Sequence, residues 1–127
     1  MLDVDVIGDG GPKAPSRAEV ERMVGIAFAS AGVEEGHVAV EYVDSDRIAS
    51  LNREFRGHVG PTDVLSFPVD GAGPAAGPRE LGDIVICPAH TGDLREAVLH
   101  GALHLTGMDH ETDDGEMLAL QAELLTW

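Results

Sequence analysis

Cysteine and long hydrophobic runs are the most informative absences in this sequence. With Cys87 as its one cysteine, the chain can form neither an internal disulfide nor a cysteine-rich metal site. No stretch approaches the ~18 uninterrupted apolar residues that a membrane-spanning helix needs. The first residues carry acids where a secretory signal would be basic and then apolar. We therefore expect a cytoplasmic protein with no membrane association.

Basic residues are also scarce. Eight Lys and Arg oppose 23 Asp and Glu, which gives a formal net charge of −15, and Lys13 is the only lysine. A field of this sign repels polyanions at long range, so composition alone argues against nucleic acid, DNA included. We expect most of the acids to form a solvated surface. A nucleic-acid function would then need a small region of positive potential.

The chain has the length and the apolar content of one globular domain. Its 127 residues and 43% hydrophobic share suffice for one core, so we assign residues 1–127 to a single domain. Hydrophobic periodicity predicts the order β-α-β-α-β-β-α-α, which indicates an α+β fold with helices packed on a small mixed sheet of about four strands. The predicted strands cover 2–7, 37–43, 63–67 and 82–87, and the predicted helices run from Ser16 to Gly32, from Asp44 or Ser45 to a loop at 57–61, from Thr91 or Asp93 to Leu105, and over 113–125. The apolar strand at 82–87 should be central, and the Gly/Pro-rich segment 70–80 should be a mobile loop.

A group of histidines is the strongest chemical signal. His100 and His104 are four residues apart on a predicted helix, so their imidazoles share one face and can reach one ion. Gly107 can enter positive φ and turn the chain back, which would bring His110 to the same ion. Three protein ligands and one open position are typical of catalytic zinc, although other divalent transition metals also suit imidazole. The alternative is three unrelated histidines that pack or cap.

Residues around this motif refine the prediction. The spacing matches a long zinc-protease pattern, but Gly101 stands where that pattern needs a glutamate as general base. Asp109 could orient a ligand imidazole or could cap the turn. For His37, His58 and His90 we expect structural roles.

Two further segments join the histidine motif in a resemblance. The blocks LNREFR…PTDVLSFP at 51–68, LGDIVIC at 81–87 and HGALHLTGMDHE at 100–111 resemble the YbeY family of rRNA maturation factors. The resemblance implies a metal-dependent endoribonuclease with an α+β fold and one zinc held by His100, His104 and His110. It also implies processing of the 3′ end of small-subunit (16S) rRNA and ribosome quality control, with rRNA, the small subunit and ribosome-associated proteins as partners.

Within this resemblance, Arg56 occupies a position that the family associates with catalysis. A guanidinium is a planar, permanent cation that suits the charge developing on a phosphodiester. Arg53 could widen a basic spot for RNA, whereas the alternative for Arg56 is a surface ion pair. We therefore assign catalysis to Arg56 and His100 and RNA binding to Arg53 and Arg56, in a zinc-dependent, single-strand-specific endoribonuclease. Attack by water or by the 2′-OH stays open, as do a metallo-hydrolase of another substrate class and a non-catalytic zinc-binding assembly factor.

Overall fold

A computed structural model describes residues 2–68, 80–108 and 114–126. Over these ranges the chain forms a four-stranded mixed sheet packed with four α-helices, which confirms the predicted α+β class and element order. The strands are β1 (Leu2–Ile7), β2 (Gly36–Tyr42), β3 (Val64–Pro68) and β4 (Glu80–Ile86), and the helices are α1 (Arg17–Ser30), α2 (Ser45–Arg56), α3 (Leu94–Leu105) and α4 (Glu116–Leu124). Within these ranges, no helix has both the length and the apolar character needed to span a membrane.

The sheet has the strand order β1-β2-β4-β3. Neighbours β1, β2 and β4 are parallel, while β3 runs antiparallel to β4 and lies at the edge. The prediction of a central, apolar strand is confirmed, because β4 is paired on both sides and Ile84 and Ile86 are fully buried. Because β3 is the edge strand, its outer side is not paired with another strand of this sheet. Helix α3, which follows β4 in the chain, packs against β3.

The core consists of two hydrophobic clusters, one on each face of the sheet, because successive side chains along a strand point to opposite faces. Val38, Val40 and Ile84 belong to the main cluster, which also contains residues of α1, α3 and α4. Leu65 and Val85 point to the other face of the sheet, where they pack with residues of α2. Helix α3 therefore lies on one face beside β3, and α2 lies on the other face of the same region.

Side-chain caps fix where the helices begin. The Ser16 hydroxyl accepts from the Glu19 N–H at 3.1 Å, so α1 begins at the predicted cap. Asp44 rather than Ser45 caps α2, and Asp93 rather than Thr91 caps α3. The Thr91 hydroxyl instead donates to the Cys87 carbonyl at 2.7 Å.

Most predicted bounds differ from the structure by one or two residues, and three differences have a local cause. A single 3₁₀ turn at Pro88–His90 precedes α3, because Pro88 fixes φ at its start. Helix α4 begins at Glu116 rather than at 113, because Gly115 adopts φ +97°. Strand β4 begins at Glu80, two residues early, where a bulge pairs it with His37. The segment 69–79, which contains most of the predicted mobile loop, is outside the described residues.

Candidate metal centre and its groove

Two of the predicted ligands meet on α3. His100 and His104 lie one helical turn apart, and their Nε2 atoms are 3.1 Å from each other. The ring centroids are 4.7 Å apart and the ring planes cross at 79°. Both side chains are half-buried and border a groove beside the edge strand β3. The i, i+4 spacing thus brings the two imidazoles together as the sequence predicts.

The other ring nitrogen of each histidine is held by an oxygen. Nδ1 of His104 donates to the Met108 carbonyl at 2.9 Å, and Nδ1 of His100 lies 2.7 Å from the Gln121 carboxamide oxygen. Because a carbonyl oxygen only accepts, these contacts place a proton on each Nδ1, and in the neutral imidazole Nε2 is then the nitrogen whose lone pair can ligate a metal. Histidines that ligate metals show this arrangement, with one nitrogen bound to a carbonyl or carboxylate and the other directed at the ion.

The distance between the Nε2 atoms can be compared with zinc geometry. Zn–N bonds of about 2.0–2.1 Å in a tetrahedron place two nitrogens roughly 3.3 Å apart. The observed 3.1 Å is close to that separation, and two lone pairs at this distance repel unless a cation or proton lies between them. The donor set therefore fits a divalent transition metal.

The turn after α3 has the predicted form. Gly107 adopts φ +103°, and the Met108 N–H reaches back to the Leu103 carbonyl at 3.4 Å. This reversal is what places the Met108 carbonyl on His104. His110 and Asp109 follow directly but lie outside the described residues, so a third ligand and a carboxylate partner stay predictions. Among residues 2–68, 80–108 and 114–126, no cluster of three or more His, Cys, Asp or Glu side chains is placed to hold an ion.

Gln121 is a site residue that the sequence analysis missed. It lies on α4, only 6% of its surface is exposed, and its carboxamide is the partner of His100. A sequence signal did exist. Met117, Gln121 and Leu124 form the buried face of α4, and a lone amide on such a face needs a polar partner.

Arg56 and the two histidines border the same groove. Its volume is about 470 Å³, and its walls come from the end of α2, from β3, and from α3 with the turn that follows it. Ser66, Pro68 and Gly107 also line it. Arg53 does not, although it is exposed one turn earlier on α2. Within the described ranges neither arginine forms an ion pair, so the alternative of a paired surface arginine finds no partner there.

Gly101 has a packing role that explains the missing protease glutamate. A Cβ at this position would lie 2.5 Å from Cγ2 of Ile84, so α3 touches the sheet where no side chain fits. Ser66 donates its hydroxyl proton to the Gly101 carbonyl at 3.0 Å, which ties β3 to the same point. A glutamate directly after His100 would therefore require Ile84 or α3 to move from its present position.

Two of the remaining histidines, His37 and His90, make structural contacts. His37 bridges Asp5 and Glu80 across three strands, with distances of 2.8 Å from Nε2 to Asp5 and from Nδ1 to Glu80. Hydrogen bonds first to Glu80 and then to Asp5 raise the pKa of His37 to about 9. His90 lies 3.0 Å from the Ser45 hydroxyl. His58 is exposed in the loop after α2 and does not line the groove.

The fold and the groove define an α+β domain with two convergent imidazoles beside an arginine. A sequence profile described as "Endoribonuclease YbeY" matches residues 12–127. The chain is 36% identical over 145 residues to Endoribonuclease YbeY of Macrococcus caseolyticus, covering 98% of this chain and 94% of that protein. It is 43% identical over 105 residues to the Rubrobacter xylanophilus protein of the same name, covering 78% and 75%.

Structural similarity agrees with the sequence comparison. The solution structure of TM1509 from Thermotoga maritima superposes with a TM-score of 0.55 at 28% identity, covering 96% of this chain and 86% of that one. The chain belongs to the YbeY family.

Proposed function

We propose that this protein is a zinc-dependent endoribonuclease that cleaves single-stranded rRNA during maturation of the 16S 3′ end and in ribosome quality control. Membership of a family described as Endoribonuclease YbeY supports an RNA-cleaving hydrolase. The observation that carries the proposal is the shared groove, in which paired Nε2 atoms and an arginine face one solvent-filled space. Precursor rRNA and the small subunit would be its partners, together with ribosome-associated proteins, and its location would be the cytoplasm.

His100, His104 and the predicted ligand His110 would hold the zinc. Zinc bound there would supply Lewis acidity, which polarises a phosphoryl oxygen or lowers the pKa of a water toward ~7. The described residues of the chain would orient the ligand imidazoles. Gln121 and the Met108 carbonyl hold the two imidazoles in the tautomer that presents Nε2 to the groove. Asp109 could do the same for the third ligand.

Arg56 would bind the scissile phosphate. Its guanidinium is exposed at the last turn of α2 and lines the groove, so it can neutralise charge that builds on the phosphoryl oxygens. Arg53, one turn earlier, would hold a neighbouring phosphate. A local site of this size reconciles RNA binding with a net charge of −15, because few phosphates need to be contacted.

Metal content and RNA cleavage should be measured together in wild type, His104→Ala and Arg56→Gln, with a single-stranded RNA spanning a small-subunit 3′ end. We expect His104→Ala to lose both metal and cleavage. Arg56→Gln should keep the metal and lose about 10²- to 10³-fold in rate. His58→Ala is the matched metal control, because this exposed histidine is outside the groove.

Two results would contradict the proposal. Wild-type cleavage by metal-free His104→Ala would indicate a contaminating nuclease. Normal ribosome maturation in cells that carry His104→Ala would favour the non-catalytic assembly factor. A third result, peptide turnover abolished by chelators, would favour a metallo-hydrolase, although Gly101 leaves that class without its usual general base.

A further inference from the structure

Phe55 is an exposed aromatic ring in a chain that has few aromatics. Aromatic residues make up 4% of the sequence, yet 60% of the surface of Phe55 is exposed. Single exposed apolar residues are common and need no explanation by themselves. The contacts and the position of this ring distinguish it from such residues.

Phe67 holds the ring in place. The two ring centroids are 5.2 Å apart and the planes cross at 68°, which is an edge-to-face contact. Phe67 is half-buried and packs on the cluster that contains Leu65 and Val85, so its own position is fixed by the sheet. An edge-to-face contact uses at most one face of each ring. We therefore infer that Phe55 is held by Phe67 and still exposes one face of its ring to solvent.

Phe55 is the chain neighbour of a groove residue. Phe55 directly precedes Arg56 on α2, and Arg56 lines the groove. Phe67 lies between Ser66 and Pro68 on the edge strand β3. Those two residues line the groove, so the side chain of Phe67 points to the other face of the strand, where α2 packs. A strand of RNA with a phosphate at Arg56 would reach Phe55 if it left the groove over the end of α2 and the edge of β3.

We propose that Phe55 is a stacking subsite for the base of a nucleotide next to the phosphate that Arg56 holds. The subsite deepens the proposed function and rests on it. Stacking on an aromatic face is tolerant of sequence and requires an unpaired base, so it selects single strands. It also supplies affinity without positive charge, which suits a protein of net charge −15.

The test measures affinity for a fluorescent single-stranded oligoribonucleotide by anisotropy, without added metal, so that binding is separate from cleavage. Phe55→Leu removes the π face and keeps an apolar side chain on Phe67, while Phe55→Tyr keeps the aromatic face. We expect Phe55→Leu to bind about 10-fold more weakly and Phe55→Tyr to bind like wild type. Val59→Ala is the control, because Val59 is 94% exposed and apolar but follows α2 and does not line the groove. It should leave affinity unchanged.

An abasic scan gives a second readout. Removing one base of the oligonucleotide should weaken binding to wild type at one position and should have no effect there in Phe55→Leu. Equal affinity of Phe55→Leu and wild type, or an equal loss in Val59→Ala, would overturn the subsite.

The subsite and the proposed function can fail separately. RNA cleavage with no dependence of binding on residue 55 would refute the subsite alone. Stacking-dependent binding by a protein that cleaves no RNA would refute the enzyme and leave the subsite. An absence of RNA binding by wild type would overturn both.

Discussion

The contact between Gln121 and His100 predicts that an α4 residue controls metal affinity. In Gln121→Leu the buried volume is nearly conserved, but the acceptor that holds Nδ1 of His100 at 2.7 Å is removed. The imidazole can then rotate, and either ring nitrogen can carry the proton. In Gln121→Glu an oxygen acceptor stays at the same place, so the orientation of His100 should be retained.

The expected magnitude follows from the burial of the pair. Partners of this kind typically contribute 10- to 100-fold in metal affinity, or about 1.4–2.7 kcal/mol. An N–H left without a partner costs a similar amount, about 1–3 kcal/mol. Gln121 is only 6% exposed and His100 is half-buried, so water does not easily replace the amide. We expect zinc binding to weaken by roughly 30-fold in Gln121→Leu and by less than about 3-fold in Gln121→Glu.

Competition with a chromophoric zinc chelator measures this affinity directly, with no need for activity. Met117→Leu is the packing control, because Met117 is fully buried on the same face of α4. Chelator-treated samples should unfold cooperatively in all variants, which separates a loss of affinity from a loss of fold. Wild-type zinc affinity in Gln121→Leu, or an equal loss in Met117→Leu, would refute the assigned role.

Three further predictions follow from the sheet and the surface charges. His37→Asn should destabilise the fold by about 1 kcal/mol near pH 6, since the full rise in pKa corresponds to ~3 kcal/mol but both carboxylates are half exposed. Folding raises the pKa of His37 from 6.5 to about 9, so the difference in unfolding free energy between wild type and His37→Asn should persist below pH 6.5 and vanish as the pH rises through about 9. A difference in urea midpoints that does not change with pH would contradict the ion pairs. Gly101→Ala should lower the free energy of unfolding by about 1–3 kcal/mol through the contact with Ile84, and an unchanged urea midpoint would argue against it. RNA affinity should depend weakly on salt, with a log–log slope of about −1.4 if Arg53 and Arg56 each contact a phosphate, and a slope steeper than about −4 would disprove so small a site.

The sequence predicted those features that depend on neighbours along the chain. The Ser16 cap and the convergence of His100 and His104 involve residues three or four apart, so helical geometry alone determines them. The central place of β4 followed from its run of apolar residues, because the consecutive buried side chains of Ile84, Val85 and Ile86 need cover on both faces of the sheet.

Contacts between distant segments could not be predicted in the same way. Gln121 is 21 residues from His100, and their hydrogen bond depends on how α4 packs on α3. The pairing of His37 with Glu80 depends on a bulge, which shifts the register between β2 and β4. Similarly, the steric requirement at Gly101 appears only when Ile84 is placed against α3.

The distribution of arginines resolves the apparent conflict between an acidic chain and an RNA substrate. Arg17, Arg22 and Arg95 are each within 4.0 Å of a carboxylate, so they contribute little net potential. Arg53 and Arg56 form no ion pair within the described parts of the chain. Arg56 lines the groove, and Arg53 is three residues earlier on α2, outside the groove lining. Long-range repulsion from the rest of the surface would slow encounter with RNA, while the unneutralised guanidinium groups act at contact distance. A protein built in this way would gain selectivity from local geometry rather than from charge, since a strand that misses the groove meets mostly acids.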